Sequence, residues 1–265
     1  MTIASGRVAL VTGGAAGLGL AVARLLASSG VRLVLADVAA ERLELAGAAI
    51  GGATATVVAD VRSAQDMTRA VDQAVERFGS LDTLVLAAGV IRGASLAEST
   101  EDDWDLTLDV NLKGAYLAAR AAVPYLAASG RGRIVAISSD AGRRGFAGAS
   151  AYCASKFGLI GLMESLAAEL SEVGTTVNAV CPIGIPTTDM GRSILANQMK
   201  TLGKAPEEIL AARARGVPLG RNATEDDVAN AVAFFISEEA SFLTGESLDV
   251  DGGTHLGRGV LIPFR

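Results

Sequence analysis

Short apolar runs alternate with segments of helical periodicity along the chain, and this alternation restricts the possible folds more than any other sequence feature. The seven runs that we predict as strands are 7–12, 31–37, 54–60, 81–89, 133–139, 175–182 and 246–253. Because a helix between two such strands makes a right-handed crossover, the strands must lie mainly parallel beneath two layers of helices. We therefore predict an α/β fold: a single doubly wound Rossmann-type domain over residues 1–265, with a seven-stranded, mainly parallel sheet and helices on both faces.

The composition supports such a core and argues against two classes of partner. Half of the residues are hydrophobic but only 4% are aromatic, which suits strands of Ala, Val, Leu and Ile that are buried on both faces. The formal net charge of −6 disfavours a nucleic-acid surface, which needs clustered Lys and Arg. No apolar run approaches the roughly 18–20 residues that a membrane span requires, so we expect neither nucleic acid nor membrane as a partner.

The cysteines and the N-terminal residues predict the cellular setting. Cys153 and Cys181 are isolated, which predicts two buried free thiols rather than a metal site or a disulfide framework. Residues 1–14 lack the charged start, apolar segment and cleavage site of a secretion signal. We therefore expect a cytoplasmic protein that binds no metal.

Residues 186–222 are the least regular part of the chain, although they contain helical pieces. Ligands of parallel α/β sheets bind beyond the carboxyl ends of the strands. A long irregular stretch of this kind predicts a lid over the substrate.

A glycine-rich loop, TGGAAGLG from Thr12 to Gly19, follows the first predicted strand directly and opens the first helix. Three of its glycines, Gly13, Gly17 and Gly19, permit a tight turn, a close approach of backbone to a pyrophosphate, and close contact between helix and strand. The helix N-terminus also presents free N–H groups to the anion. Taken alone, the loop is also compatible with a turn that serves packing only.

Asp37 ends the second predicted strand, where a carboxylate can accept hydrogen bonds from both hydroxyls of an adenosine ribose. A 2′-phosphate there would meet like charge, and neither Ala15, Ala16 nor residues 38–41 supply a Lys or Arg to neutralise it. The sequence thus predicts NAD rather than NADP, with an ordinary turn residue as the alternative for Asp37. Asp60 ends the third predicted strand, where it can reach the adenine edge or cap the next helix.

Tyr152 and Lys156 stand one turn apart in a predicted helix over 150–172, so they share one face. The single histidine of the chain is His255, so the usual proton-transfer residue is missing from this region. A cation about 4 Å from a phenol contributes roughly 4 kcal/mol at an effective dielectric of about 20, or about 3 pK units. Lys156 is therefore expected to bring the pKa of Tyr152 close to neutrality. Taken alone, the two residues more often form an ordinary amphipathic pair.

Ser139 closes the fifth predicted strand, at the edge where a cofactor is expected. A serine hydroxyl there can hydrogen-bond a substrate oxygen as it changes between alcohol and ketone. Together with the preceding motifs, the serine completes a recognisable series. The members of the series are TGxxxGxG at 12–19, Asp37, Asp-Val at 60–61, Asn111 in DVNLKG, Ser139, YxASK at 152–156, NAVCP at 178–182 and DGG at 251–253.

This series resembles the short-chain dehydrogenase/reductase family over essentially the whole chain. The resemblance implies a catalytic tetrad made of Asn111, Ser139, Tyr152 and Lys156. Tyr152 would be the proton donor and acceptor, and Ser139 the partner of the substrate oxygen. Lys156 would lower the tyrosine pKa and bind the nicotinamide ribose. Asn111 would hold a water through its main-chain carbonyl, with a helix-interior residue that satisfies a backbone bend as the alternative.

The resemblance also assigns cofactor contacts, which we expect from Gly13, Gly17, Leu18, Gly19, Asp37, Asp60, Val61, Ala88, Gly89, Tyr152, Lys156, Ile185 and Thr187. Two stretches depart from the family pattern. Residues 86–89 read LAAG where the family has Asn-Asn-Ala-Gly, so backbone contacts must replace the side-chain amides. At 182–188 the family glycine is shifted by one position, which leaves Ile185 and either Thr187 or Thr188 as contacts of the nicotinamide carboxamide.

The activity implied by the resemblance is NAD-dependent interconversion of a secondary alcohol and a ketone by hydride transfer, with a small-molecule substrate. The resemblance further implies a homo-oligomer, a tetramer being favoured, that assembles through the predicted long helix 101–128 and the helix after it. One alternative is an NADPH-linked 3-oxoacyl thioester reductase, which Asp37 disfavours. The other is a dinucleotide-binding regulator without turnover, which the complete tetrad disfavours.

Three further residues have no assigned role. Arg143 and Arg144 lie between Ser139 and Tyr152, where one of them could meet a substrate, although solvated loop arginines are favoured. His255 is expected at the surface or an interface rather than as a ligand.

Overall fold

A parallel sheet organises the chain in a computed structural model that describes residues 2–256. Within these residues, seven strands form one sheet in the order β3-β2-β1-β4-β5-β6-β7, and every neighbouring pair is parallel. The strands are β1 Val8–Thr12, β2 Arg32–Asp37, β3 Thr54–Val58, β4 Thr83–Leu86, β5 Arg133–Ile137, β6 Thr176–Pro182 and β7 Ser247–Val250. The predicted α/β fold with a seven-stranded sheet is confirmed.

The strands are shorter than the apolar runs that predicted them. The run 81–89, for example, contains only Thr83–Leu86 as a strand, and 54–60 contains Thr54–Val58. Residues 81–82 precede the strand in the first run, whereas residues 87–89 and 59–60 follow the strands at the carboxyl end of the sheet. This is the edge at which parallel sheets of this type place their ligands, so the ends of the apolar runs supply the site rather than the sheet.

Helices cover both faces of the sheet. They are α1 Gly17–Ser28, α2 Ala40–Ile50, α3 Ala64–Phe78, α4 Glu101–Leu108, α5 Gly114–Ser129, α6 Ser150–Leu170, α7 Asp189–Leu202, α8 Pro206–Gly216 and α9 Glu225–Ile236. One apolar core joins the sheet to α3, α5 and α6, and a second joins it to α1, α2 and α9. Buried Ala, Val, Leu and Ile dominate both cores, as the low aromatic content predicts.

The predicted long helix 101–128 is interrupted at its middle. Thr100 caps the start of α4 by accepting a hydrogen bond from the Asp103 N–H. A π turn, Asp109–Lys113, then joins α4 to α5, with the Gly114 N–H donating to the Asp109 carbonyl. A π turn inserts one extra residue into a helix and often marks a functional position. Here it carries Asn111.

The irregular stretch 186–222 contains α7 and α8. Thr188 starts α7 by accepting a hydrogen bond from the Gly191 N–H, and Pro206 is the first residue of α8. Met190, Gly191 and Ile194 of α7 face the carboxyl edge of the sheet. The stretch thus lies where a lid must lie, and its action as a lid stays a prediction.

Two further observations concern residues 2–256 as a whole. No helix among them is long and apolar enough to cross a membrane. They also contain no group of three or more His, Cys, Asp or Glu side chains that could hold a metal ion.

Candidate active site

A cleft of about 470 Å³ runs along the carboxyl ends of the strands. It begins at Asp37 and Asp60, passes the glycine loop, and ends at Tyr152 and Lys156. The sequence-predicted residues that line it are Gly13, Gly17, Leu18, Gly19, Asp37, Asp60, Val61, Ala88, Gly89, Ser139, Tyr152, Lys156 and Ile185. Asn111 and Thr187 do not line it. The fold therefore brings most of the predicted site residues into one cavity at the carboxyl edge of the sheet.

The glycine loop leaves no room for side chains at two positions. Gly13 has φ +67°, and a Cβ there would lie 2.8 Å from the Ala88 backbone. A Cβ on Gly19 would overlap the carbonyl oxygen of Gly13. The loop is thus held against β4 on one side and against its own helix on the other, which leaves the backbone N–H groups at the start of α1 facing the cleft. These residues fit a dinucleotide pyrophosphate.

Thr12 replaces the missing side-chain amides of residues 86–89. Its hydroxyl donates to the Val85 carbonyl at 3.4 Å and accepts hydrogen bonds from the N–H groups of Ala87 and Ala88 at 3.2 and 3.4 Å. One buried hydroxyl therefore ties the end of β4 to the end of β1. This bond is not apparent from the sequence, because Thr12 and Ala87 meet only across the sheet.

Asp37 is fixed at the far end of the cleft by two backbone hydrogen bonds. One carboxylate oxygen accepts from the Ala15 N–H of the glycine loop at 3.1 Å, and the other accepts from the Ala39 N–H at 3.0 Å. The turn role and the ligand role are therefore compatible, because the same carboxylate shapes the loop and faces the cleft.

Asp60 lines the cleft as half of an ion pair. The Arg62 guanidinium binds both of its carboxylate oxygens, at 2.6 and 3.0 Å, and this hydrogen bonding lowers the pKa of Asp60. The alternative role of Asp60 as a helix cap is wrong, because Ser63 caps α3 by accepting from the Asp66 N–H. Arg62 also lines the cleft and was missed, since nothing in its sequence context distinguishes it from a surface arginine.

Tyr152, Ser139 and Lys156 meet at the other end of the cleft. Tyr152 lies in the first turn of α6, and the Lys156 Nζ lies 5.6 Å from the centroid of its ring. The Lys156 ammonium donates to the Ile137 carbonyl at 2.8 Å. Ser139 follows β5, and its hydroxyl accepts from the Ala141 N–H at 3.1 Å. Helix spacing and the end of one strand therefore suffice to assemble the proton-transfer group that the sequence predicts.

Burial has a larger effect than neighbouring charges on the pKa values of Tyr152 and Lys156 in the protein without a bound dinucleotide. Burial raises the pKa of Tyr152 to about 12, against a smaller lowering by the hydrogen bond from Ser139. Burial also lowers the pKa of Lys156 to about 8. The expectation that Lys156 brings the Tyr152 pKa near neutrality is therefore wrong for the protein by itself, because both groups are desolvated and the ammonium faces a carbonyl. The phenol holds its proton at neutral pH, which suits a proton donor.

We expect Lys156→Met to change how stability depends on pH. The folded-state pKa of Lys156 is about 8 against 10.5 for the free side chain. Below pH 8 both states are protonated, and between pH 8 and 10.5 only the unfolded state is, so wild-type stability rises with pH in that window. Between pH 7 and 9.5 the free energy of unfolding of the wild type should increase by about 2 kcal/mol through Lys156, and Lys156→Met should lack this increase.

Urea unfolding at the two pH values measures the difference, with Lys200→Met at an exposed position of α7 as the control. Parallel pH profiles for wild type and Lys156→Met would show that burial does not depress the Lys156 pKa. The change in packing that Lys156→Met causes does not depend on pH and so cancels in the comparison.

Asn111 acts as a polar brace rather than as part of the cleft wall. Its side-chain oxygen accepts from the Val90 N–H at 2.8 Å, and its amide group donates to the Val90 carbonyl at 2.9 Å. The amide also donates to the Ser155 hydroxyl at 3.0 Å, which in turn donates to the Tyr152 carbonyl at 2.7 Å. Asn111 thus joins the segment after β4 to the helix that carries Tyr152. The water-holding role of its main-chain carbonyl stays a prediction.

The two threonines at the start of α7 point to different sides. Thr187 donates to the Glu225 carboxylate at 2.7 Å and lies outside the cleft. Thr188 lines the cleft, where its hydroxyl donates to the Ile185 carbonyl at 3.0 Å. Thr188 and Ile185 thus line the cleft and Thr187 does not, and their contact with the nicotinamide carboxamide stays a prediction.

The residues without an assigned role lie off the cleft. Arg143 binds the Asp249 carboxylate at 3.1 Å and the Ser247 carbonyl, so it links the loop after β5 to β7. Arg144 pairs with Asp140 at 3.2 Å. His255 is half exposed, with its Nδ1 2.9 Å from the Asp251 carboxylate. None of the three side chains faces Tyr152.

Comparisons with known proteins agree with this geometry. A family model described as "Enoyl-(Acyl carrier protein) reductase" matches residues 13–255. The chain is 39% identical over 255 residues to Oxidoreductase UcpA of Escherichia coli, covering 95% of each chain. It is 37% identical over 249 residues to 2-(S)-hydroxypropyl-CoM dehydrogenase 3 of Xanthobacter autotrophicus, covering 93% of this chain and 95% of the relative. A crystal structure of an actinorhodin polyketide ketoreductase with NADPH matches with a TM-score of 0.89 and 34% identity, covering 94% of this chain and 97% of that one.

Proposed function

The chain belongs to the short-chain dehydrogenase/reductase family of oxidoreductases, and from that premise we propose that it interconverts a secondary alcohol and a ketone with NAD as its dinucleotide. The observation that carries the proposal is the meeting of Tyr152, Ser139 and Lys156 at one end of a cleft whose middle is the glycine loop. The dinucleotide, when bound, supplies or accepts the hydride.

In this proposal the protein holds the substrate oxygen and moves one proton. The Ser139 hydroxyl binds the substrate oxygen, and the Tyr152 hydroxyl gives it a proton in ketone reduction and takes the proton back in alcohol oxidation. The Tyr152 pKa of about 12 favours the donor form. Lys156 holds the nicotinamide ribose and, as an ammonium beside the phenol, stabilises the phenolate when it forms.

The preference for NAD is supported by Asp37 at the ribose end of the cleft. Its carboxylate is fixed by the N–H groups of Ala15 and Ala39, so it cannot easily turn away from a 2′-phosphate. The nearby Arg42 on α2 is paired with Asp189. The alternative, an NADPH-linked 3-oxoacyl thioester reductase, is favoured by one observation, namely that the similar polyketide ketoreductase was crystallised with NADPH. A dinucleotide-binding regulator without turnover remains the second alternative.

The experiment that tests the function is an absorbance assay at the reduced-nicotinamide band, run with NADH and NADPH separately. Ketones serve in one direction, and secondary alcohols, polyols and hydroxy acids serve in the other. We expect turnover that is faster with NADH. Turnover with NADPH alone would support the thioester reductase, and tight NADH binding without any turnover would support the regulator.

Asp37→Asn should shift cofactor preference toward NADPH by about tenfold or more, because it removes one negative charge. The amide has one acceptor oxygen, so it keeps only one of the hydrogen bonds from the N–H groups of Ala15 and Ala39, and this loss affects both dinucleotides alike. The measured quantity is the ratio of kcat/KM for NADPH to that for NADH. Glu41→Gln, an exposed acid in the first turn of α2, is the matched control. An unchanged ratio in Asp37→Asn would exclude Asp37 as the residue that discriminates the dinucleotides.

The assembly and setting are also proposals. The exposed aromatic side chains of Trp104, Tyr116 and Phe157 lie on α4, α5 and α6. They support assembly into a homotetramer through these helices. We further propose that the protein acts in the cytoplasm and that α7 and α8 form the substrate lid.

A further inference from the structure

Arg92 lies at the rim of the cleft on a short segment whose two ends are fixed. On one side, Asn111 binds both the N–H and the carbonyl of Val90. On the other side, the Ala94 N–H donates to the Gly148 carbonyl at 3.0 Å, just before α6 begins. The Arg92 backbone is therefore held at a fixed position relative to Tyr152, and its side chain lines the same cleft.

Three basic residues line the cleft among those that the structure describes, and they differ in what holds them. Arg62 is bound by both carboxylate oxygens of Asp60. Lys156 is buried, with 4% of its surface exposed, and donates to the Ile137 carbonyl. Among these three, Arg92 has neither a bidentate ion pair nor a buried head group, and 48% of its side chain is exposed.

The contacts of Arg92 are long. Its Nε lies 3.5 Å from the Asp103 carboxylate, and its Nη1 lies 3.3 Å from the Ile91 carbonyl. The other carboxylate oxygen of Asp103 accepts from the Thr100 hydroxyl at 2.9 Å, which ties it to the cap of α4. An exposed pair with such spacing contributes little, so a ligand anion that approaches in the plane of the guanidinium competes with it readily.

Part of the wall of the cleft that Arg92 lines is apolar. Leu106 and Val110 contribute from α4 and the π turn, and Met190 and Ile194 contribute from α7. A neutral polar chain such as a polyol would leave its hydroxyls without partners along this wall. A short hydrocarbon segment between the carbonyl and a terminal charge matches both the wall and the rim.

We propose that Arg92 is a specificity-determining residue that binds an anionic group, a carboxylate or a group of like charge and shape, at the end of the substrate remote from the reacting carbon. The inference deepens the proposed alcohol–ketone activity and rests on it. It assigns the substrate class as a hydroxy or keto acid in which a short apolar chain separates the two functional groups.

The test compares keto acids with their neutral esters. The probes are 3-oxobutanoate, 4-oxopentanoate and 5-oxohexanoate, each beside its methyl ester. At one chain length, wild type should show kcat/KM for the acid about tenfold or more above that for the ester, since bidentate pairing with a carboxylate is a strong contact. Arg92→Gln should raise KM for that acid about tenfold, with kcat and the constants for the ester within about twofold.

Two variants control the comparison. Arg69→Gln removes an arginine of similar exposure on α3, outside the cleft, and should change nothing. Arg92→Lys keeps the positive charge but lacks the two parallel N–H donors of the guanidinium. Compared with Arg92→Gln, it should restore part of the preference for the acid over the ester. An equal loss on acid and ester in Arg92→Gln, or an unchanged KM for the acid, would overturn the assignment.

Binding separates this inference from the proposed function. The dissociation constant of each acid is measured by calorimetry on the complex with the oxidised dinucleotide, which cannot reduce a ketone. A tenfold weaker binding of the acid to Arg92→Gln supports the anion site even if no ketone is turned over, whereas turnover without any acid preference keeps the activity and rejects the site.

Discussion

Replacing Tyr152 by phenylalanine is expected to lower kcat by about 10²- to 10⁴-fold, because it removes the single oxygen that carries the transferred proton. The ring stays in place in the first turn of α6, so the wall of the cleft changes little. Lys156 keeps its hydrogen bond to the Ile137 carbonyl, which does not involve the phenol. Dinucleotide affinity should therefore stay within about threefold of wild type.

Steady-state kinetics and fluorescence titration of the reduced dinucleotide measure the two quantities. Tyr125→Phe is the matched control, since it also deletes a phenolic oxygen, 3.4 Å from Asp72 and away from the cleft. If Tyr152→Phe retained a tenth of wild-type turnover, another group would have to supply the proton, and the assigned role would fail. Loss of dinucleotide binding as well would instead indicate that the variant disturbs the cleft.

Gly19→Ala is the second change with a large expected effect, and it acts on cofactor binding. The added methyl group overlaps the Gly13 carbonyl, and Gly13 cannot retreat because it already packs against the Ala88 backbone. The loop must therefore shift and misplace its N–H groups. Losing two hydrogen bonds to a charged pyrophosphate corresponds to about 100-fold weaker binding or more, with a loss of about 1–3 kcal/mol in the free energy of unfolding from overpacking.

Gly184→Ala provides the control for this prediction. Gly184 also lines the cleft, but a Cβ there meets no atom within 4 Å, and its φ lies outside the left-handed region. Fluorescence titration and urea unfolding should show near-wild-type behaviour for Gly184→Ala. Normal dinucleotide affinity in Gly19→Ala would mean that the loop tolerates the shift and that its N–H groups do not carry the binding.

The architecture was predictable because most strands are continuous apolar runs and helices such as α3 have a regular apolar face. These are local properties of the sequence. The strand ends were placed too late, since small and weakly polar residues such as Ala87, Ala88 and Ser138 read as a continuation of the strand. The pairing of Tyr152 with Lys156 was predictable for a similar reason, because helix geometry alone places them on one face.

The features of the site that the sequence did not predict depend on contacts between residues that are far apart in the chain. The bonds from Thr12 to Ala87 and Ala88 form only when β1 and β4 are neighbours. The sign of the Tyr152 pKa shift depends on how many groups exclude water from the phenol, which spacing along a helix does not reveal. The choice between Thr187 and Thr188 turns on the cap of α7, where adjacent residues face opposite directions.

The bonds of Asn111 have a consequence for redesign of this enzyme. One amide fixes Val90 at the start of the rim and, through Ser155, the turn of α6 that carries Tyr152. Residues between Val90 and Ala94 can therefore be exchanged while the rim segment keeps its position relative to Tyr152. Libraries that alter substrate choice should randomise residues 91–93 and leave positions 90, 111 and 155 as they stand.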